Sequence, residues 1–326
     1  MKSKRKTLAE AMSLVKDGDQ IITGGWTVVR KPMAAVYEII RQGKKGLHLV
    51  TGTPGTDADL LIGAGCVAIS EQCYIGHELF GHPYNFRRAV EGGTERSGLL
   101  HDDSSLLVGW LRILAAAMGI PFIPTRSAKG SDMLNPEYDR LQELRGKNPK
   151  IPNQKFTFMQ DPFWEGEEVM LVPAVRPDVA IIHAQEAAED GTVRINNCPF
   201  GDRITAMAAK TTIVTAERIV PADRLRNIPE LNTIPGIYVD AVVEVPYGAH
   251  PTLVANFYDN DPWWYKEYID ASKDEVKFKL WLNEWVYGVK NHEGYLRKLG
   301  QDRLKSIQAD ANYGYNPNLR RRLDLI

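Results

Sequence analysis

A chain of 326 residues, 44% hydrophobic and 25% charged, has the composition of a folded globular protein with one large or two modest domains. Its 40 basic and 41 acidic residues leave a net charge of −1, so no overall field draws it to a nucleic-acid backbone or an anionic membrane. No uninterrupted apolar run approaches the ~20 residues of a membrane span, and Glu10, Ser13 and Lys16 break the apolar positions behind the basic start; the protein is expected to be cytoplasmic, with no leader.

The first element is signalled by Thr7-Leu8-Ala9-Glu10, a capping-box pattern, with Ala11, Met12, Leu14 and Val15 following at helical spacing. Gln20 to Thr23 is a short β-like run closed by Gly24-Gly25-Trp26, and Pro32 opens a helix whose apolar residues recur at helical intervals as far as Gly43. Leu47 to Thr51 makes a second strand, stopped by Gly52-Thr53-Pro54-Gly55, so a strand, helix, strand order emerges early. The alternation continues with a helix over Asp57 to Ile62, an extended run at Val67 to Ile69, an apolar helix from Leu106 to Met118 and a strand-like Pro121 to Pro124. Val169 to Pro173, Val179 to His183, Thr211 to Thr215 and Val239 to Val245 are β-branched runs bounded by turn residues, and they suit strands buried on both faces of a mainly parallel sheet. The expected fold class is therefore α/β, an open and mainly parallel sheet flanked by helices over residues 1–260, with an irregular excursion or lid at about 127–168. From 261 to 326 the pattern turns helical and aromatic, with Trp263, Trp264, Tyr268, Trp281, Trp285 and Tyr287, and this extension is expected to pack on the core or on a partner. The last dozen residues, including Arg320-Arg321-Arg322, read as a solvated tail.

Candidate chemistry is sparse and each motif has a bland alternative. Gly24, Gly25, Trp26 and Thr27 join a buried strand to a helix, a geometry in which backbone N–H groups can meet a ligand; equally, the glycines can serve close packing. It is neither GxGxxG nor a P-loop, so a nucleotide phosphate is not indicated. Arg30 and Lys31 add two cations at the same mouth, either ligand-binding or solvated. His77 and His82 lie among Gly76, Gly81 and Pro83, which cannot hold an HExxH helix, so no metal is expected and a ligand-contacting loop is the better reading. His183 and His250 read as structural histidines with satisfied rings. Cys66, Cys73 and Cys198 show no CxxC spacing, and Cys66 and Cys198 read as small packing residues. No GxSxG occurs, which leaves serine hydrolysis unsupported, and the spacing of Glu71, Glu78 and Asp103 singles out no catalytic pair.

Five stretches together resemble the family I CoA-transferases, specifically the α subunit of the glutaconate type. They are GDQIITGGWTVVRKPMAAVYEIIRQG (18–43), VAIIHAQEAAEDGTVRI (179–195), AAKTTIVTAERI (208–219), IPGIYVDAVVEVPYGAHP (234–251) and WVYGVKNHEGYLRKLGQDRL (285–304). The resemblance runs from about Thr7 to Leu304, the first and fourth stretches being specific in combination.

The resemblance implies a heteromeric enzyme, a heterodimer or higher αβ oligomer, whose α and β subunits share a similar open fold and meet at one active site. Coenzyme A would be a co-substrate, with no permanently bound cofactor. CoA would pass between an acyl-CoA and a short carboxylic acid through a glutamyl-CoA thioester, the glutamate lying in a Ser-Glu-Asn-Gly motif of the β subunit. No such motif occurs in this chain, which agrees with α identity. Gly24, Gly25, Trp26 and Thr27 would then form the α-side wall of the cleft, their N–H groups holding a carboxylate or thioester oxygen, with Arg30 neutralising the far carboxylate of a dicarboxylic acid such as glutaconate. Between Gly76 and Leu107 the sequence departs from the glutaconate pattern, which leaves the acyl substrate open. Relatives on this fold act as acyl-CoA hydrolases, ring-opening hydrolases or decarboxylases; under that alternative Glu71 or Glu78 would be the base. A non-catalytic ligand-binding sensor is the third reading and would need an attached DNA-binding module.

Overall fold

The computed structural model describes residues 3–92 and 98–322. Among these, eleven strands fall into two sheets. The large sheet comprises β1 (Gln20–Thr23), β2 (Leu47–Thr51), β3 (Val67–Gln72), β4 (Leu100–Asp103), β8 (Val179–Ala187), β9 (Val193–Arg194), β10 (Thr211–Ile219) and β11 (Ala241–Glu244). Its order is β11-β10-β8-β1-β2-β3-β4, parallel throughout, with β9 pairing antiparallel on β8. The small sheet pairs β5 (Phe122–Thr125) and β6 (Thr157–Gln160) antiparallel on β7 (Glu168–Pro173).

Val169 to Pro173 therefore lies outside the parallel sheet where the sequence had placed it. An apolar run identifies a buried strand but not the partner it meets, and this one finds an antiparallel neighbour.

The helices are α1 (Leu8–Met12), α2 (Met33–Arg41), α3 (Thr56–Gly63), α4 (Tyr84–Glu91), α5 (Leu106–Met118), α6 (Asp202–Ala208), α7 (Ala222–Arg226), α8 (Pro262–Ser272), α9 (Glu275–Leu282), α10 (His292–Leu299) and α11 (Gln301–Ser306). The capping box forms as read: Thr7 Oγ1 accepts from the Glu10 N–H, and Glu10 accepts from the Thr7 N–H. Helices α2 and α3 pack on one face of the sheet, and aromatic residues of α8, α9 and the turn Asn283–Tyr287 extend the same core, with Trp264, Tyr265, Tyr268, Phe278, Trp281 and Trp285 all buried in it. Trp264 stacks on Tyr268 at 4.8 Å, and the Tyr268 hydroxyl donates to Asp59 at 2.6 Å. Trp263 is only partly buried and packs in a separate cluster with Val254 and Tyr258, and Tyr287 is 49% exposed. No helix among the described residues is long and apolar enough to cross a membrane.

The excursion between β5 and β7 does not hang free. Leu141 and Ile151 bury against Ile69, Lys155 pairs with Asp102 at 2.7 Å, and the Lys150 ammonium reaches the Gly18 carbonyl at 2.8 Å, so the segment is pinned along a face of the sheet. Of the terminal arginines, Arg321 differs from expectation: it pairs with Asp259 and lies over the Tyr315 ring, while Arg320 is exposed. Cys198 is exposed and so is not a packing residue, whereas Cys66 is buried.

Candidate active site at the carboxyl ends of the parallel strands

Strand β1 has β2 on one side and β8 on the other, and the chain reaches these two neighbours by connections that leave in opposite directions. In open parallel sheets, ligands bind at the carboxyl ends beside such a reversal. Thr23, the last residue of β1, pairs with Ile181, so β8 continues six residues beyond it to Ala187 and leaves a step in the sheet edge. The segment after β9 folds back along that protruding half, tied by Gln185 to Asn196, and delivers Phe200 and Asp202 to the step.

The glycine turn fills the step. Gly24 extends the ladder by donating to Ile181 at 2.9 Å, and Gly25, at φ +74°, donates to Asp202 Oδ1 at 2.8 Å. A β-carbon at Gly24 would sit 2.3 Å from that same Asp202 oxygen, and one at Gly25 would sit 2.4 Å from the Val29 carbonyl. Trp26 N–H then donates to Val29, and Thr27 N–H donates to the Thr53 carbonyl after β2. The sequence reading expected these four N–H groups to face a ligand; all four are instead consumed by acceptors of this chain. Non-glycine residues in left-handed backbone gather around the same edge, at Thr27, Arg30, Glu78, Asn197 and Phe200. Such strain persists where surrounding structure over-determines it, and it concentrates at functional sites.

Arg30 and Lys31 are not at an open mouth. Arg30 is 1% exposed, and its guanidinium donates to the His183 carbonyl at 3.0 Å, the Cys198 carbonyl at 3.0 Å and Asp202 Oδ2 at 2.7 Å. Lys31 is fully buried, paired with Asp57 at 2.9 Å and donating to Thr23 Oγ1 at 3.2 Å. Both cations are neutralised inside the protein, so neither is free in this geometry to counter a substrate carboxylate. Local spacing suggested a charged rim because it could not see Asp202, 172 residues away from Arg30.

Of the candidate bases, Glu71 is buried between Arg112 at 2.7 Å and His48 at 2.8 Å. Burial pushes its carboxyl up, but the Arg112 guanidinium and the His48 hydrogen bond outweigh this and hold it well below the usual carboxylate range. It is a poor proton acceptor with both oxygens engaged. Glu78 is exposed on the loop after β3. His77 on that loop turns inward, its Nδ1 3.2 Å from Thr56 Oγ1 and its ring edge-on to Tyr268. His183, held by Thr215 and Glu217, and His250, held by Tyr295 and Asp261, have both ring nitrogens bonded within the core. The Cys73 thiol is pushed up to about 11 by burial, which outweighs the pull of Arg112, so it is no ready nucleophile.

Three residues that the sequence reading passed over complete the edge. Asp202 anchors the turn, while Trp110 and Phe200 stack with Trp26: the two indoles are parallel within 1° at 6.4 Å, and Phe200 lies 5.3 Å from Trp26. Pro199-Phe200-Gly201-Asp202 did carry a signal, a turn opening a helix with an acidic first residue.

Similarity to known proteins runs over nearly the whole chain. The family described as coenzyme A transferase matches residues 5–245. The chain is 42% identical to the α subunit of glutaconate CoA-transferase from Acidaminococcus fermentans, over 96% of this chain and 97% of that one. It is 35% identical to the corresponding subunit of 3-oxoadipate CoA-transferase from Pseudomonas knackmussii, over 90% of this chain and 98% of that one. The crystal structure of the Acidaminococcus fermentans glutaconate enzyme superposes with a TM-score of 0.92 at 41% identity, covering 97% of this chain and 99% of that one. A shared fold, near full-length coverage and two relatives of the same subunit type lead to one conclusion: the chain belongs to the coenzyme A transferase family.

Proposed function

We propose that the chain is the α subunit of a heteromeric CoA-transferase that moves CoA between an acyl-CoA and a short carboxylic acid, and that a β subunit contributes the glutamate nucleophile. The partner's carboxylate attacks the acyl-CoA carbonyl and expels CoA thiolate, leaving an acyl-glutamyl anhydride. The thiolate then attacks the glutamyl carbonyl, which frees the first acid and leaves a glutamyl-CoA thioester. The carboxylate of the second acid reverses the sequence, so one difficult exchange becomes a series of easier ones. Coenzyme A is a substrate here, not a resident group.

The observation that carries this reading is the state of the buried carboxylates of this chain. Asp202 is held by Arg30, Asp57 by Lys31 and Glu71 by Arg112, each a buried pair with its charge already matched. An attacking carboxylate must be open to the acyl carbon, and these three are buried, each bound to a cation. Gly24, Gly25, Trp26 and Thr27 act in this proposal as a rigid wall, contributing shape and the Trp26 ring; their N–H groups take no part. A short dicarboxylic acid of the glutaconate kind fits the proposal through the similarity to the glutaconate enzyme.

Glu78, exposed on the loop after β3, is the carboxylate that competes with this reading. Co-expression with a β subunit, followed by measurement of CoA exchange between acetyl-CoA and a series of short acids, tests both. Glu78→Gln is expected to retain exchange within a few-fold. If Glu78→Gln abolishes turnover while acyl-CoA hydrolysis or decarboxylation is the wild-type activity, the base belongs to this chain and the alternative chemistry holds.

A further inference from the structure

A strand at a sheet edge presents unpaired N–H and C=O groups that another strand can take up, and folded proteins usually blunt such edges with proline, lysine or a covering segment. The outer edge of β11 is covered by the amino-terminal residues: Lys6 N–H donates to the Val242 carbonyl at 2.9 Å, and Val242 N–H donates to the Lys4 carbonyl at 2.9 Å. Strand β5, one edge of the small sheet, carries Pro124 within it and follows Pro121. Strand β6, the other edge, has no such device. It reads Thr157-Phe158-Met159-Gln160, without proline or charge, and all four residues are exposed, so it is open on both faces as well as along its edge. Among the described residues, its backbone bonds only to β7. The run 144–156 ahead of β6 is basic with no acidic residue, and the run 161–168 behind it is acidic with no basic residue. The hairpin that follows is held firmly, Arg126 pairing with Asp161 at 3.0 Å and with Glu167 at 2.6 Å, yet it presents Phe163 87% exposed and Trp164 65% exposed.

We propose that β6 is the seat of a two-fold contact between two copies of this chain, paired antiparallel so that the two small sheets become one sheet of order β5-β7-β6 continued by β6-β7-β5 of the other copy. The edge complements itself. A two-fold axis lays the basic run of each copy beside the acidic run of the other, whereas a parallel arrangement would set like charges together. Lys150, Lys155 and Asp161 already have partners within the chain, so the flanks orient the approach and the apolar residues supply the contact. Pairing over four residues covers too little surface on its own. Phe163 and Trp164 at each tip add ~150–250 Å² apiece when covered, which brings the contact toward the ~1,200 Å² of a specific interface. The proposal concerns how αβ pairs associate and does not depend on the reaction they perform.

The test is the mass of the αβ complex, read by light scattering during size-exclusion chromatography and by native mass spectrometry. The wild-type complex should hold an even number of copies of this chain. Phe158→Lys combined with Met159→Lys sets like charges across the two-fold axis and should halve the mass, and Phe158→Glu combined with Met159→Glu should do the same. Mixed in equal amounts, the two variants should regain the wild-type mass with one copy of each in every pair, because each position lies close to its own counterpart. That recovery also shows that both variants are folded. A wild-type complex with a single copy of this chain, an unchanged mass in both variants, or a mixture that stays at half mass overturns the proposal. Loss of the β subunit from the variants overturns it as well, since the edge would then bind that subunit. The CoA-transferase reading survives each of these results and is tested separately by CoA exchange.

Discussion

Arg30 and Asp202 form the ion pair on which the glycine turn is built, and both side chains are almost wholly excluded from water. Removing one member leaves the other charged, buried and without its partner, at a cost of about 3–5 kcal/mol, whereas replacing both with apolar side chains of similar volume can be close to neutral. Arg30→Ala and Asp202→Ala are therefore expected to lose about 3–5 kcal/mol in denaturant titrations of the αβ complex, and the double variant Arg30→Met with Asp202→Leu much less. Single losses below about 1 kcal/mol would show that the pair is hydrated and does not hold the turn. The two glycines and Trp26 were legible from spacing because a strand running into glycines and then a helix is a local pattern. The role of Arg30 was not: its partners lie on β8, on the loop after β9 and at the start of α6, and only the folded topology brings them within 3.0 Å.

Elements show the same division between local and long-range information. Helices α1, α2, α3 and α5 and the strands of the large sheet other than β4 and β9 follow from caps, β-branched runs and turn residues, all short-range signals. The pairing of β7 and the docking of the 127–168 segment depend on which surfaces meet, and side-chain periodicity does not specify that. Tyr268 on α8 illustrates how an element attaches the aromatic extension: its hydroxyl satisfies the buried Asp59 at 2.6 Å, so Tyr268→Phe leaves a carboxylate short of a donor and should cost about 1.5–3 kcal/mol in thermal or chemical unfolding. Helix α10 brings a pH dependence. His292 donates Nε2–H to the Pro246 carbonyl at 2.8 Å, and burial pushes its imidazole down to about 4, against the smaller opposing effect of that carbonyl. Its folded value lies below its unfolded value of about 6.5, so the unfolded chain binds the extra proton first as pH falls. The contribution is complete above about 6.5 and declines toward 4, by on the order of 2 kcal/mol at pH 5. Between pH 7 and 5 the melting temperature should drop more for wild type than for His292→Gln; equal drops would remove His292 as the source of the pH dependence.

At the scale of the whole molecule, the parallel sheet sets its candidate site at one end, with β1 and β8 offset to leave a step and the glycine turn, Asp202 and three aromatic rings set into it. The Asp202 and Asp57 carboxylates beside the turn are matched internally by Arg30 and Lys31. On the proposed reading, the chain offers the reaction a shaped surface and the bond-forming oxygen arrives on the β subunit. The most direct measurement is CoA exchange between acetyl-CoA and glutaconate by the purified chain alone and by the chain assembled with a β subunit, with borohydride reduction of the thioester intermediate and mass analysis of both polypeptides. The expected result is no exchange by the chain alone, exchange on assembly, and a reduced glutamate on the β subunit. Turnover by the isolated chain, or a reduced glutamate within it, would contradict a nucleophile supplied from outside.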